Sequence, residues 1–307
     1  ARVKAMKEDG FWPDQIVTDY LDRQIAEAPD KIAVIDSNSL TNTTNRISYG
    51  ALGKLVDRIA VGLAELGVEK NDVVSCQLPN WWQFTALHLA CARIGAVTNP
   101  MMPIFREREL SFMLGLAESK VLVIPRAFRG FDYPAMVRNI RSGLPDLKHV
   151  LVIDGTGEDS FEKTLLDTPW EEKRDKTDLF ARRRPSPDDV IQLMYTSGTT
   201  GEPKGVMHTS NTIMSNLLLC AQCLELKRSD VILMASPMAH QTGFMYGLAM
   251  PIVLGTTAVL QDVWEPKRAA KLIGDEHVTF TMASTPFLSD LTETVAQDQQ
   301  GLPSLRI

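Results

Sequence analysis

The sequence predicts an α/β protein built as two tandem, mainly parallel α/β modules. Three observations predict it. Short runs rich in Val, Ile and Leu alternate with stretches of helical apolar spacing. That rhythm occurs twice, and a polar stretch over 154–189 separates the two occurrences. A chain of 307 residues also exceeds what one small core takes up. We divide it into an N-terminal segment, 1–71, expected to pack on the second module. The first α/β module follows over 72–189, and the second over 190–307.

The elements follow in order. Residues 72–76 read as a strand, 81–94 as a helix, 96–98 as a short strand and 107–118 as a helix. A strand at 121–124, a helix at 133–141 and a strand at 149–153 complete the first module. The stretch 154–189 carries Pro169, Pro185 and Pro187 and much charge, as a boundary does, while Trp170 and Phe180 mark parts of it that pack. The rhythm restarts with strands at 190–194, 230–235, 257–261 and 278–282. Helices are expected at 211–224, 243–254, 266–275 and 286–296, with Pro266 at a helix start, where its missing N–H costs nothing. Strands interleaved with helices imply right-handed crossovers and parallel pairing.

Composition narrows the function classes. A formal net charge of -6 argues against a general nucleic-acid binder. The one tight basic run, Arg182 to Arg184, reads as a solvated linker edge. Four cysteines in so long a chain are no disulfide scaffold, which fits a reducing cytoplasm. Cys220 and Cys223 form a C-x-x-C without the second pair a zinc site needs, and their apolar surroundings read as a packed helix. The most apolar stretch, 248–260, is broken by Pro251 and Gly255 and is too short to span a bilayer.

One segment carries chemistry: residues 195–205, YTSGTTGEPKG, directly after the apolar run 190–194. It holds four aliphatic hydroxyls, three glycines and one lysine. Glycines let backbone N–H groups approach an anion without a Cβ in the way, and successive N–H groups form an anion-binding nest. The hydroxyls of Thr196, Ser197, Thr199 and Thr200 donate to phosphate oxygens, and Lys204 brings a mobile positive charge. An ordinary polar surface loop is the alternative, but the preceding strand and the Pro203–Lys204 spacing speak against it. A Walker A loop needs Gly-Lys-Ser/Thr, whereas Lys204 sits between Pro203 and Gly205. Gly155-Thr-Gly157 is too short for a dinucleotide loop, and neither a G-x-S-x-G elbow nor an H-E-x-x-H occurs.

Residues 196–205 resemble the signature of the adenylate-forming superfamily: acyl-CoA synthetases, peptide-synthetase adenylation domains and luciferases. Residues 47–52, ISYGAL, and 92–100, ARIGAVTNP, resemble two further segments of that superfamily, with similar spacing. Residues 237–244, PMAHQTGF, resemble the P-x-x-H-x-x-G segment of fatty- and aryl-acid CoA ligases. Residues 283–287 and the N-terminal half look most like ligases of short- and medium-chain or alicyclic acids, such as cyclohexanecarboxylate–CoA ligases.

The resemblance implies ATP-dependent activation of a carboxylate followed by CoA thioester formation, with ATP, Mg²⁺ and CoA as cofactors. It implies that Thr196, Ser197, Gly198, Thr199, Thr200, Gly201 and Lys204 hold the phosphates. Lys204, Thr200 and His240 would be catalytic, and His240, Gly243, Phe244 and Phe287 would line the acyl pocket. No metal ligand is expected within these residues. A small carboxylic acid is the expected partner, with no nucleic acid and no membrane span, in a cytoplasmic protein for which dimers occur among similar ligases. An adenylation domain loading a carrier protein, or a non-catalytic nucleotide-binding fragment, stay open as alternatives. The remaining superfamily landmarks, a further β-subdomain and a C-terminal domain, are expected past Ile307. The fragment alone is therefore expected to turn over little.

Overall fold

A computed structural model describes residues 2–196, 203–298 and 301–306. Its strands, in chain order, are β1 (Ile32–Asn38), β2 (Thr43–Ser48), β3 (Val73–Cys76), β4 (Val97–Pro100), β5 (Val121–Pro125), β6 (Ala127–Phe128) and β7 (Phe131–Asp132). There follow β8 (His149–Ile153), β9 (Val190–Tyr195), β10 (Gly205–Thr209), β11 (Val231–Met234), β12 (Thr257–Gln261) and β13 (Phe280–Thr281). The chain forms two compact units. One comprises Ala1–Thr18, Gly53–Leu78 and Phe84–Ser215; the other comprises Asp19–Leu52, Pro79–Gln83 and Asn216–Ile307.

The first unit holds a six-stranded sheet in the order β10-β9-β4-β3-β5-β8. All neighbours pair in parallel except the edge strand β10, which runs antiparallel to β9. The inner strands β4 and β5 are buried along their whole length, as strands covered on both faces are, and β4 carries the polar Thr98 and Asn99. The helix Trp82–Arg93 is buried at Phe84 to Ala92. Inside it His88 bonds Thr98 Oγ1 through Nδ1 at 2.7 Å, and burial holds its imidazole neutral, down to about 3. The polar stretch after β8 is not empty of structure. It includes the helices Trp170–Lys173 and Lys176–Arg183, and Trp170 and Phe180 pack against Val61, Ala64 and Leu179. Arg58 clamps it further by pairing with Glu171 at 2.8 Å.

The second unit holds a five-stranded sheet, β13-β11-β12-β1-β2, parallel except for the edge strand β2. Its core joins Ile35, Leu233, Val259, Leu272, Ile273 and Leu291. The strand expected over 278–282 is only two residues long, and β1 and β2 come from a part of the chain where the periodicity predicts no elements.

The sheets cut across chain order. The strands flanking the segment expected to grip phosphate, β9 and β10, hydrogen-bond into the first unit beside β4, whereas the sequence reading sets them at the head of the second module. Strand pairing, not proximity in sequence, decides sheet membership. The expected helix over 243–254 is also composite: α-helical at Gln241–Phe244, π-helical at Met245–Ala249 and α-helical again at Met250–Leu254. Pro251 has no N–H to give, so the ladder shifts to five-residue spacing ahead of it, with Met250 N–H donating to Met245 O. The helix stops at Gly255 in the left-handed region (φ 71°), where any Cβ would lie 2.2 Å from Gln24 Oε1. Cys220 is partly buried and Cys223 exposed, so the pair is not the fully packed one its apolar neighbours suggest. Among the described residues no helix is long and apolar enough to cross a membrane.

Candidate functional site

The segment expected to grip phosphate, 196–205, is flanked by an antiparallel hairpin of β9 and β10. Tyr195 faces Gly205 across β9 and β10, and one step further Thr196 N–H donates to Lys204 O at 3.1 Å. That bond closes the loop's mouth and sets Thr196 and Lys204, both exposed, on its two rims. A hydroxyl and an ammonium are donors suited to phosphate oxygens. Tyr195 anchors the hairpin, its Oη donating to Met113 O at 2.9 Å. Burial pushes its phenol up to about 12, against the opposing pull of an Asn99 hydrogen bond, so it stays a neutral donor. The other residues assigned to the phosphates, Ser197, Gly198, Thr199, Thr200 and Gly201, lie outside the described residues.

A groove of about 520 Å³ opens on this unit beside the hairpin. Leu116, Val190, Leu193 and Met207 line it, and its one carboxylate, Asp189, pairs with Lys70 at 2.9 Å. The lining is thus mainly aliphatic, with its acid neutralised.

In the second unit, His240 stands at the head of the composite helix, just past the C-terminal end of β11. Its backbone is extended (φ -110°, ψ 147°), and its Nδ1 accepts the Thr242 N–H at 3.3 Å, capping the helix start. The turn before it is closed by His240 N–H donating to Pro237 O at 2.9 Å. Gly243 follows one turn on, where only glycine fits: a Cβ there would meet Pro237 O at 2.1 Å and Ser236 O at 2.6 Å. Phe244 is buried, and the imidazole is exposed. Phe287 sits on a separate helix, Thr285–Asp298, half-buried and stacked on Trp264 with centroids 4.6 Å apart. The structure therefore groups His240, Gly243 and Phe244 within one turn, and gives Phe287 a different ring partner.

The strand ends near this turn form a polar platform that sequence reasoning missed. Asn80 is buried and bonds backbone atoms of Ser236, Met238 and Gln261. Trp81 Nε1 donates to Asp262 Oδ2 at 3.0 Å, and Ser39 donates to the same oxygen through both its N–H and its hydroxyl at 2.9 Å. Asp36 accepts the Trp82 N–H at 3.3 Å, and burial raises its carboxyl to about 6. In sequence only the Pro79-Asn80 dipeptide marks this place, as a turn signal and nothing more. Among the described residues no group of three or more His, Cys, Asp or Glu is arranged to hold a metal ion.

A family profile described as AMP-binding enzyme matches residues 21–307. The chain is 32% identical over 306 residues to the medium-chain fatty-acid–CoA ligase of Escherichia coli (strain K12), covering 99% of this chain and 52% of that protein. It is 30% identical over 310 residues to the 2,3-dihydroxybenzoate–AMP ligase of Bacillus subtilis (strain 168), covering 98% and 53%. The apo structure of Mycobacterium smegmatis MbtA matches with a TM-score of 0.83 at 28% identity, over 95% of this chain and 52% of that one. The chain thus spans about half the length of the curated relatives it matches. The profile match runs over nearly the whole sequence, and the chain belongs to the AMP-binding enzyme family.

Proposed function

We propose that this protein activates a carboxylic acid with ATP and passes the acyl group to the thiol of CoA. The observation that carries the reading is the closed hairpin mouth. Thr196 and Lys204 stand on facing rims of a Gly- and Thr-rich loop set directly on a parallel-sheet strand. Family membership and likeness to ligases of fatty and aryl acids support it.

In the first half-reaction a carboxylate oxygen attacks the α-phosphorus of ATP. The bond from that phosphorus to the pyrophosphate oxygen breaks, and the electron pair leaves with pyrophosphate. Lys204 and the hydroxyls of Thr196, Ser197, Thr199 and Thr200 would meet the charge on the β- and γ-phosphates, with Gly198 and Gly201 leaving room for the backbone to approach. Groups fixed before reaction stabilise such charge without reorganising. Mg²⁺, when bound, would neutralise phosphate charge, held chiefly through the phosphates and water as that ion commonly is. In the second half-reaction the thiol sulfur attacks the acyl carbon, the acyl–oxygen bond breaks, AMP leaves and the thiol proton goes to solvent. His240 would orient the carboxylate, with Gly243, Phe244 and Phe287 shaping the acyl side.

The same reading takes a short-, medium-chain or alicyclic acid as substrate, a cytoplasmic setting and a homodimer. Likeness to an enzyme named as an AMP ligase favours a second reading, in which the acyl adenylate goes to a carrier thiol in place of CoA. Acid-dependent ATP–pyrophosphate exchange on the full-length gene product tests both, with short, medium, alicyclic and aromatic acids and CoA added second. Exchange with one acid class followed by thioester formation is the expected result. Exchange without CoA thioester supports the carrier reading, and no exchange with any acid refutes both.

A further inference from the structure

We propose that Asn80 is a positioning residue for His240, acting through the backbone of the turn that carries it. The inference rests on the role given to His240 above.

Asn80 is 2% exposed, and every polar atom of its side chain is used. Its Oδ1 accepts the Met238 N–H at 2.8 Å. Its Nδ2 donates to Ser236 O at 2.9 Å and Gln261 O at 3.2 Å, with Met234 O at 3.5 Å. Reversing the amide would set N–H against N–H at Met238 and oxygen against oxygen at Ser236, so the network admits one orientation. One side chain thus ties the exit of β11 to the end of β12 and fixes the chain on both sides of Pro237.

That fixation reaches His240 within two residues. Met238 and Ala239 are buried, and the turn closes with His240 N–H on Pro237 O. The imidazole itself is exposed, so its location follows from the backbone under it rather than from side-chain packing. Asn80 is itself well anchored. The next two residues bond the buried carboxylates Asp262, just past β12, and Asp36, within β1. The amide chemistry is specific: one acceptor and two donors at this reach are available to Asn, whereas Asp lacks the donors and Gln is longer by a methylene.

The test is a double-mutant cycle on the full-length gene product, read by acid-dependent ATP–pyrophosphate exchange. The variants are Asn80→Ala, Asn80→Asp, His240→Ala and the two double variants. Asn80→Asp keeps the Met238 bond and the side-chain volume, so it carries the same test where the alanine variant folds poorly. Asn80→Ala is expected to lower kcat on the order of 10²-fold, since displacements near 1 Å cost that much, and to leave the KM for ATP within about threefold. In the His240→Ala background the Asn80 change is expected to cost no more than about twofold, because the residue it serves is gone. Costs that multiply in full across both backgrounds overturn the inference and leave Asn80 a stabiliser of the fold. A His240→Ala variant at the wild-type rate overturns the His240 reading and this inference together, a pattern distinct from multiplied costs.

Discussion

Replacing Gly243 by alanine sets one methyl group against the turn that carries His240. The new Cβ would lie 2.1 Å from Pro237 O, 2.4 Å from Pro237 C and 2.6 Å from Ser236 O. All three are backbone atoms, so no rotamer change relieves the clash. Real Cβ contacts essentially never fall below 3.0 Å, and turn and helix must part by about 1 Å. Overpacking of this kind costs ~1–3 kcal/mol, and a rigid backbone neighbour points to the upper end. The same displacement runs through His240, which lies between the two clashing segments, and lowers the exchange rate on the order of 10²-fold. Urea unfolding and acid-dependent exchange measure the two effects. Gly274→Ala is the matched control: it lies in the helix Pro266–Asp275 with nothing within 4 Å of its Cβ, and should stabilise by ~0.5–1 kcal/mol through helix propensity. A Gly243→Ala protein as stable and active as Gly274→Ala would refute the reasoning.

Three further outcomes follow from the same structure. Lys204→Ala should slow adenylation on the order of 10²-fold with little change in unfolding free energy, because the side chain is exposed; equal loss of both would contradict a phosphate role. Asp36 is raised from the usual 3.8 to about 6, so the fold favours its protonated form. Its contribution is present below about pH 4 and lost as pH rises through about 6, at most ~3 kcal/mol. Urea titrations at pH 4.5 and 7.5 should show a smaller drop for Asp36→Asn than for wild type, and identical drops would rule the burial effect out. Trp81→Phe removes the indole donor from the buried Asp262 carboxylate and should cost ~1.5–3 kcal/mol by thermal or urea unfolding; a loss under ~0.5 kcal/mol would show that Ser39 alone satisfies that oxygen.

What was legible in the sequence divides along physical lines. Strands β3, β5 and β8 read clearly because burial on both faces favours runs rich in Val, Ile and Leu. Strand β2, Thr43 to Ser48, is an exposed antiparallel edge with only Ile47 buried, so no alternation betrays it. Strand β10 is short and follows a loop rich in glycine and threonine, and its pairing with β9 depends on a closure that composition does not encode. The expectation of a phosphate grip at 196–205 could be formed from sequence because its candidate donors are contiguous there. The Asn80 platform was not legible, because Asn80, Ser236, Met238 and Gln261 are far apart in sequence and meet only once the ends of β11 and β12 are assembled. The stacking of Phe287 on Trp264 is a contact that no local spacing announces.

The measurement that reaches the central claim most directly is isotope transfer. The full-length gene product is supplied with its acid labelled with ¹⁸O in both carboxylate oxygens, with ATP and CoA, and the phosphorus products are examined by mass spectrometry. If the carboxylate attacks the α-phosphorus, one labelled oxygen stays on phosphorus when the thiol takes the acyl group. AMP then carries one ¹⁸O and pyrophosphate carries none. Unlabelled AMP, or label in orthophosphate, would contradict activation through an acyl adenylate.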